Sequence, residues 1–387
     1  MGYEMTASQG WSKELEGLRG IASLWVLLGH ISLLVNFHIK LISSPGIGVD
    51  LFILLSGYLM AKNYIERKDR EPWNKVETIR KFWIRRFFRI APLYYTLLVF
   101  AICFGPWLGE MRDIISQYSP GSATEASRYS DQSLSNIITH VTFIFGLLPE
   151  YGFNTALPDW SIGLEMQFYL LFPFIMLLAG RFGYARNLLA IMLLCVIGKF
   201  IFRDYYEAFK MPSLILIKLN IFLSGMLLAE AVRSKSLLHL LLALTGPAAS
   251  VFIAAEVMKL QIVMEVLMIL FMALILWKHP EGSKLASLIW WPRKILNNRF
   301  SAWLGDVSYS VYLLHLLIVI PAIALLLTHW NLNEHSPMIR FSIVAAVVIP
   351  PIYLLSTVLY HFIEKSGIRL GKSILSTRYP QVETSKT

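Results

Sequence analysis

The chain has 387 residues, of which 56% are hydrophobic and only 16% charged, with a formal net charge of +10. A mean hydropathy of +0.57 is far above that of an ordinary globular domain, so the chain is read as an integral membrane protein, and its excess of Lys and Arg reflects membrane topology rather than nucleic-acid binding. Cys103 and Cys195 each lie alone in an apolar run, which excludes a disulfide framework and offers no metal-ligand spacing.

The first twenty residues carry Glu14 and Glu16 and contain no signal-peptidase site, so the first apolar run is expected to stay as a span. Arg19 lies just before that run and His30 within it. In a helix an eleven-residue step makes about three turns and rises about 16 Å, so both side chains lie on one stripe at different depths. Polar groups at such depths are costly and usually functional. The spacing suits a long charged donor whose polar end is held by Arg19 and whose reactive end reaches His30.

Further runs of spanning length follow near 47–64, 90–108, 162–180, 187–202, 213–231, 236–255, 261–277, 304–327 and 338–360, ten in all with 21–38. The strongest basic cluster lies between Glu66 and Arg89 and includes Arg67, Lys68, Arg70, Lys75, Arg80, Lys81, Arg85, Arg86 and Arg89, which assigns that loop to the cytoplasm. By parity both termini are cytoplasmic, and the loops 181–186, 232–235 and 278–303, each with at least two Lys or Arg, fall on the same side. Counting Ile137–Leu148 as a span would reverse every later loop, so a re-entrant segment on the outer face is expected there. The polar, Ser-rich stretch Gly109–Ser135 before it suits a lid or acceptor-docking loop. The expectation is an all-α membrane protein of about ten transmembrane helices plus one re-entrant segment. It forms a single domain over 1–387, with its core at 14–365 and a cytoplasmic tail at 366–387.

Several embedded polar residues stand out. Asp50 lies in Gly48-Val49-Asp50-Leu51-Phe52, where an unpaired carboxylate in lipid would be neutralised or paired, most economically with His30 or an arginine. Ser56 and Gly57 in the same run read as helix-packing residues. Arg86 and Arg89 are three apart on one helix face and match phosphate oxygens, although basic residues at a membrane edge also anchor to phospholipid. Trp160 suits an aromatic belt, whereas Glu165 and Gln167 sit inside the apolar run that follows, and Glu165 is the candidate to orient or activate a histidine. Ser308, Tyr312 and His315 share a helix face, with Tyr309 beside them, and His315 alone reads as an interhelical hydrogen-bonder. Tyr360-His361-Phe362-Ile363-Glu364-Lys365 reads as an anchor, Glu364 pairing with a basic loop residue. His38 and His140 read as outer-face polar groups.

Taken in order, the segments around Arg19 and His30, Gly48–Leu59, Arg86–Tyr95, Trp160–Pro173, Leu304–His315 and Tyr360–Lys365 resemble the acyltransferase-3 family of bacterial membrane proteins over residues 14–365. Two features depart from the family pattern. Ser366 stands where a proline is common, and the chain ends at Thr387 with no room for the extracytoplasmic hydrolase-like domain of many relatives, so the membrane domain is expected either to complete the transfer itself, the preferred reading, or to pass the acyl group to a separate protein.

The resemblance implies an O-acetyltransferase of the bacterial inner membrane that moves acetyl from cytosolic acetyl-CoA, a substrate rather than a bound cofactor, to a sugar hydroxyl. The acceptor expected is a surface or lipid-linked glycan such as lipopolysaccharide O-antigen, with exopolysaccharide, nodulation-type oligosaccharide, peptidoglycan or an antibiotic also compatible, and a longer acyl-CoA compatible as donor. In that reading Arg19, Arg86 and Arg89 bind the donor and His30 and Glu165 are catalytic. Asp50, Trp160, Tyr309 and His315 serve the acceptor or support the site. His30 acts as base or takes the acetyl group itself. The alternative is a transporter or flippase whose embedded charges line a path without bond chemistry, disfavoured by the lack of an internal repeat. A non-catalytic scaffold would not need Arg19, His30 and Glu165 in lipid.

Overall fold

The computed structural model describes residues 13–253, 259–280 and 282–378, and among these residues every regular element is helical. The helices are α1 (Lys13–Leu34), α2 (Pro45–Arg67), α3 (Val76–Cys103), α4 (Gly105–Tyr118), α5 (Leu134–Val141), α6 (Trp160–Phe182), α7 (Tyr184–Ile201) and α8 (Ile215–Ser234). They continue as α9 (Leu237–Ala243), α10 (Thr245–Ile253), α11 (Lys259–Leu276), α12 (Lys284–Leu296), α13 (Arg299–His329), α14 (Pro337–Leu359) and α15 (Lys365–Arg378), with single-turn elements between some of them. Nine among the described residues are long and apolar enough to cross a membrane, counting α14 through α15 as one. The tenth expected span, 236–255, is instead the broken pair α9–α10, its last two residues lying outside the described ones.

The core helices are α1, α2, α8 and α13, each apolar around most of its circumference and mostly buried. Small residues set their spacing. A Cβ on Gly20 would come within 2.6 Å of the Leu304 Cβ, and one on Gly305 within 2.3 Å of the Glu16 carbonyl oxygen, so α1 and α13 cross almost backbone to backbone. Gly57 does the same between α2 and α8, as its sequence setting suggests: a Cβ there would lie 2.0 Å from the Phe222 carbonyl oxygen.

Three regions expected to be loops are helical. α3 begins at Val76, so the helix that carries Arg86 and Arg89 starts earlier than expected and takes Arg80 and Lys81 out of the loop; no helix breaker intervenes before Pro92, and Glu77 pairs with Lys81 at i,i+4. Much of Gly109–Ser135 belongs to α4 and a short turn at Ser127–Ser130. The tail segment continues the last span as α15, after a π-turn over Tyr360–Glu364. The re-entrant candidate is α5, a left-handed turn at Phe143 (φ 60°) and a 3₁₀ turn over Ile144–Leu147. Gly146 fits beneath Gln167 of α6, where a Cβ would clash at 2.4 Å. Gln167 is thereby structural: it donates to the Ser213 carbonyl at 2.8 Å and accepts from the Ile215 N–H at 3.0 Å, fixing the start of α8.

Candidate active site

Three connected cavities run through the bundle. The first, about 320 Å³, opens at the end that carries the α3 arginines and is lined by Arg19, Arg85, Arg86, Arg89, Tyr169 and Lys372 among others. Arg19, Ser56, Glu165 and Tyr309 pass from it into a neck of about 50 Å³, walled mainly by Val49, Phe52, Ile53, Leu55, Ile162 and Phe222. Val49 and Tyr312 then lead into a far cavity of about 380 Å³ with His30, Asp50, Trp160, Lys218 and Gln261 on its walls. Arg19 and His30, on one stripe of α1, thus stand at opposite ends of the neck.

At the far end α1 and α13 bring His30 and His315 together, His315 Nε2 lying 3.1 Å from His30 Nδ1. The proton positions follow from the partners. His315 Nδ1 lies 2.6 Å from the Tyr312 carbonyl oxygen, which only accepts, so Nδ1 carries the proton and Nε2 is an acceptor. His30 Nδ1, 2.9 Å from the Val26 carbonyl oxygen, likewise carries its proton and shares it with His315 Nε2. That leaves the His30 Nε2 lone pair uncommitted on a ring that borders the far cavity. His30 is a partly exposed side chain and His315 is fully buried.

Glu165 takes a different place from the one expected. Its Oε1 accepts from Ser56 Oγ at 3.1 Å and from the Tyr169 hydroxyl, in the neck and basic cavity, and it makes no hydrogen bond to His30. The side chain in hydrogen-bond reach of His30 is His315. Ser56 is correspondingly a cavity residue rather than only a packing one. Tyr309 also faces the neck and the basic cavity, not the far one, and its hydroxyl donates to the Ile90 carbonyl at 2.9 Å. Tyr312, on the next turn, donates to the Pro158 carbonyl and accepts from Ser161, both at 2.7 Å, and thereby fixes the turn that carries Trp160.

Asp50 is buried and paired, but neither with His30 nor with an arginine. Lys218 Nζ of α8 lies 2.6 Å from Oδ1 and Gln261 Nε2 of α11 lies 2.6 Å from Oδ2. Ser250 Oγ donates to the buried Glu265 at 3.1 Å, extending the network. Lys218, Gln261 and Glu265 carried a readable signal, since each is a polar side chain inside an apolar helix.

The basic cavity is built differently. Arg85 forms a two-pronged pair with Glu71 at 3.0 and 2.9 Å. Arg19, Arg86, Arg89 and Lys372 have no carboxylate within 4 Å among the described residues. The Nε atoms of Arg19 and Arg86 are buried without a hydrogen-bond partner. Arg86 stacks over the rings of Phe82 and Tyr169, 5.7 Å from each centroid.

Two other expectations change. Glu364 forms no ion pair within 4 Å among the described residues; it is buried in the π-turn and accepts a hydrogen bond from Ser310. His140 is buried rather than surface-exposed, stacked on Phe145 at 4.3 Å with Nε2 3.7 Å from Asp159, whereas His38 is exposed. Among the described residues no three His, Cys, Asp or Glu side chains converge as a metal site requires.

The described residues form a multi-span helical bundle, with a histidine pair on α1 and α13 bordering the last of its connected cavities. The chain belongs to the acyltransferase-3 family: the family model for its acyltransferase domain matches residues 12–361. Among named proteins it is similar to the peptidoglycan O-acetyltransferase OatA of Listeria monocytogenes, 28% identical over 43% of this chain and 24% of the relative. It also resembles a Bacillus subtilis protein with the provisional name peptidoglycan O-acetyltransferase YrhL, 25% identical over 94% of this chain and 56% of the relative. A third relative is the acyltransferase MdmB of Streptomyces mycarofaciens, 29% identical over 41% of this chain and 38% of the relative. The chain thus aligns with between about a quarter and just over half of these relatives' own lengths. No solved structure matches it.

Proposed function

We propose that the protein is a membrane-bound O-acetyltransferase that takes acetyl from cytosolic acetyl-CoA and places it on a sugar hydroxyl of a surface glycan. The observation that carries this reading is the neck between four unpaired cations and a histidine with one free ring nitrogen. The basic end, by its arginine cluster, faces the cytoplasm of a bacterial inner membrane, with both termini on that side. Acetyl-CoA fits such a shape: a polyanionic nucleotide for Arg86, Arg89 and Arg19, and a slender arm for the neck. Ser56 and Glu165 offer that arm hydrogen-bond partners.

In the far cavity the acceptor ring stacks on Trp160 and its hydroxyls bond to Asp50. His30 Nε2 takes the proton from the reacting hydroxyl as its oxygen attacks the thioester carbonyl. The C–O bond forms, the C–S bond breaks, and the CoA thiolate receives the proton from His30. The same lone pair would serve if His30 first took the acetyl group, and trapping acetyl-His30 by mass spectrometry separates the two routes. General-base assistance is worth about 10² to 10⁴ in rate.

The test is mass spectrometry of O-acetyl groups on surface polysaccharide and on peptidoglycan from cells expressing wild type or His30→Ala. The first material corresponds to an O-antigen-type acceptor, the second to the acceptor in the names of two relatives. Acetyl present in either glycan with wild type alone supports the reading and identifies the acceptor. No difference in either, together with no release of CoA from acetyl-CoA by purified protein, overturns it in favour of a transporter.

A further inference from the structure

The helix beyond the last span is the least expected wall of the basic cavity. α15 leaves the π-turn at Tyr360–Glu364 and runs along α3. A π-turn inserts one extra residue into a turn and rotates the face presented by whatever follows. Gly367 and Gly371, four apart, lie on the rotated face. A Cβ on Gly367 would lie 2.6 Å from Pro92 Cγ and 2.8 Å from the Phe88 carbonyl oxygen, and one on Gly371 2.8 Å from Phe88 Cβ. Contact this close admits no larger residue without displacing α15. It brings Ile368, Gly371 and Lys372 to the cavity that holds Arg86 and Arg89.

Lys372 differs from the arginines there. It is exposed, whereas the Arg86 and Arg19 Nε atoms are buried, so Lys372 stands at the mouth and the arginines deeper. It has no carboxylate partner within 4 Å among the described residues. A phosphorylated nucleotide thioester is a linear molecule with its acyl group at one end and its ribose 3′-phosphate at the other. With the thioester in the neck, the 3′-phosphate falls at the mouth.

We propose that α15 is a wall of the donor site and that Lys372 binds the 3′-phosphate of the donor nucleotide. This inference rests on the acetyl-CoA reading above. Lys372 acts as a binding residue with no part in the chemical step. It therefore governs KM for donors that carry the 3′-phosphate and leaves kcat unchanged.

The test compares acetyl-CoA with acetyl-3′-dephospho-CoA as donors for purified full-length protein in lipid nanodiscs, with CoA or dephospho-CoA release as the readout. Lys372→Ala is expected to raise KM for acetyl-CoA about tenfold, the loss of one charge-assisted contact, without changing kcat. The same variant should leave KM for acetyl-3′-dephospho-CoA at the wild-type value, because the group that Lys372 binds is gone. Lys372→Arg should retain most of the preference for acetyl-CoA. An unchanged KM for acetyl-CoA, or an equal rise for both donors, overturns the inference while leaving the acetyltransferase reading intact. A wild type that releases nothing from either donor overturns both.

Discussion

The two ends of the neck handle charge in opposite ways. In the far cavity Asp50 is met by Lys218 and Gln261, and the histidines hold each other through neutral ring nitrogens. In the basic cavity Arg19, Arg86, Arg89 and Lys372 face one another with Glu165 as the carboxylate in reach of the cavity. Cations gathered with one carboxylate among them repel one another, and an anionic ligand would relieve that repulsion. A site whose charges already cancel suits a neutral ligand held by hydrogen bonds and stacking. On the proposed reading, one molecule would hold an anionic donor and a neutral polyol in series, and the reaction between them would occur where they meet, at His30.

The contrast can be broken at four points. His30→Ala removes the group where the two sites meet, and acetyl transfer should fall by about 10² to 10⁴ while the protein still accumulates in membranes, as kinetics and immunoblotting would show. Lys218→Met leaves Asp50 buried without its cation, with Gln261 as the remaining partner, a change worth about 3 kcal/mol of stability, visible as a lower melting temperature of detergent-solubilised protein. The double variant Asp50→Asn/Lys218→Met should recover much of that loss; a double variant no more stable than the single one would mean that the pair does not act as a unit. Arg86→Ala should raise KM for acetyl-CoA by about tenfold or more, the effect of one charge-assisted contact, without altering acceptor KM. An equal change for both substrates would deny the division into two sites. His315→Ala should lower kcat by about 10- to 100-fold through misplacement of His30, with both KM values near wild type.

How much of this was legible in the sequence depended on how far apart in the chain the partners lie. Arg19 and His30 share one helix, so an eleven-residue spacing was enough to place them on one stripe. The span limits came from apolar runs, and they failed where local chemistry overrides hydropathy: α9 and α10 break between Ala243 and Thr245, and α3 and α15 carry basic residues on helices that hydropathy reads as loop and tail. The partner of His30 could not be read, because His30 and His315 are 285 residues apart and meet only through the α1–α13 crossing. Without that crossing a carboxylate such as Glu165 was the natural choice for an imidazole's companion. Asp50 shows the same limit: the need for a partner was plain from burial, while its identity as Lys218 required the α2–α8 contact at Gly57 and Gly225.

The neck has a consequence for the cell that concerns neither binding nor rate. Its walls are largely hydrocarbon, and at about 50 Å³ it is far smaller than the chambers it joins. On the proposed reading, a thin acyl arm could lie in it while the larger, polar bodies of donor and acceptor stay in separate chambers, so that only the acetyl unit, and neither whole substrate, would change sides.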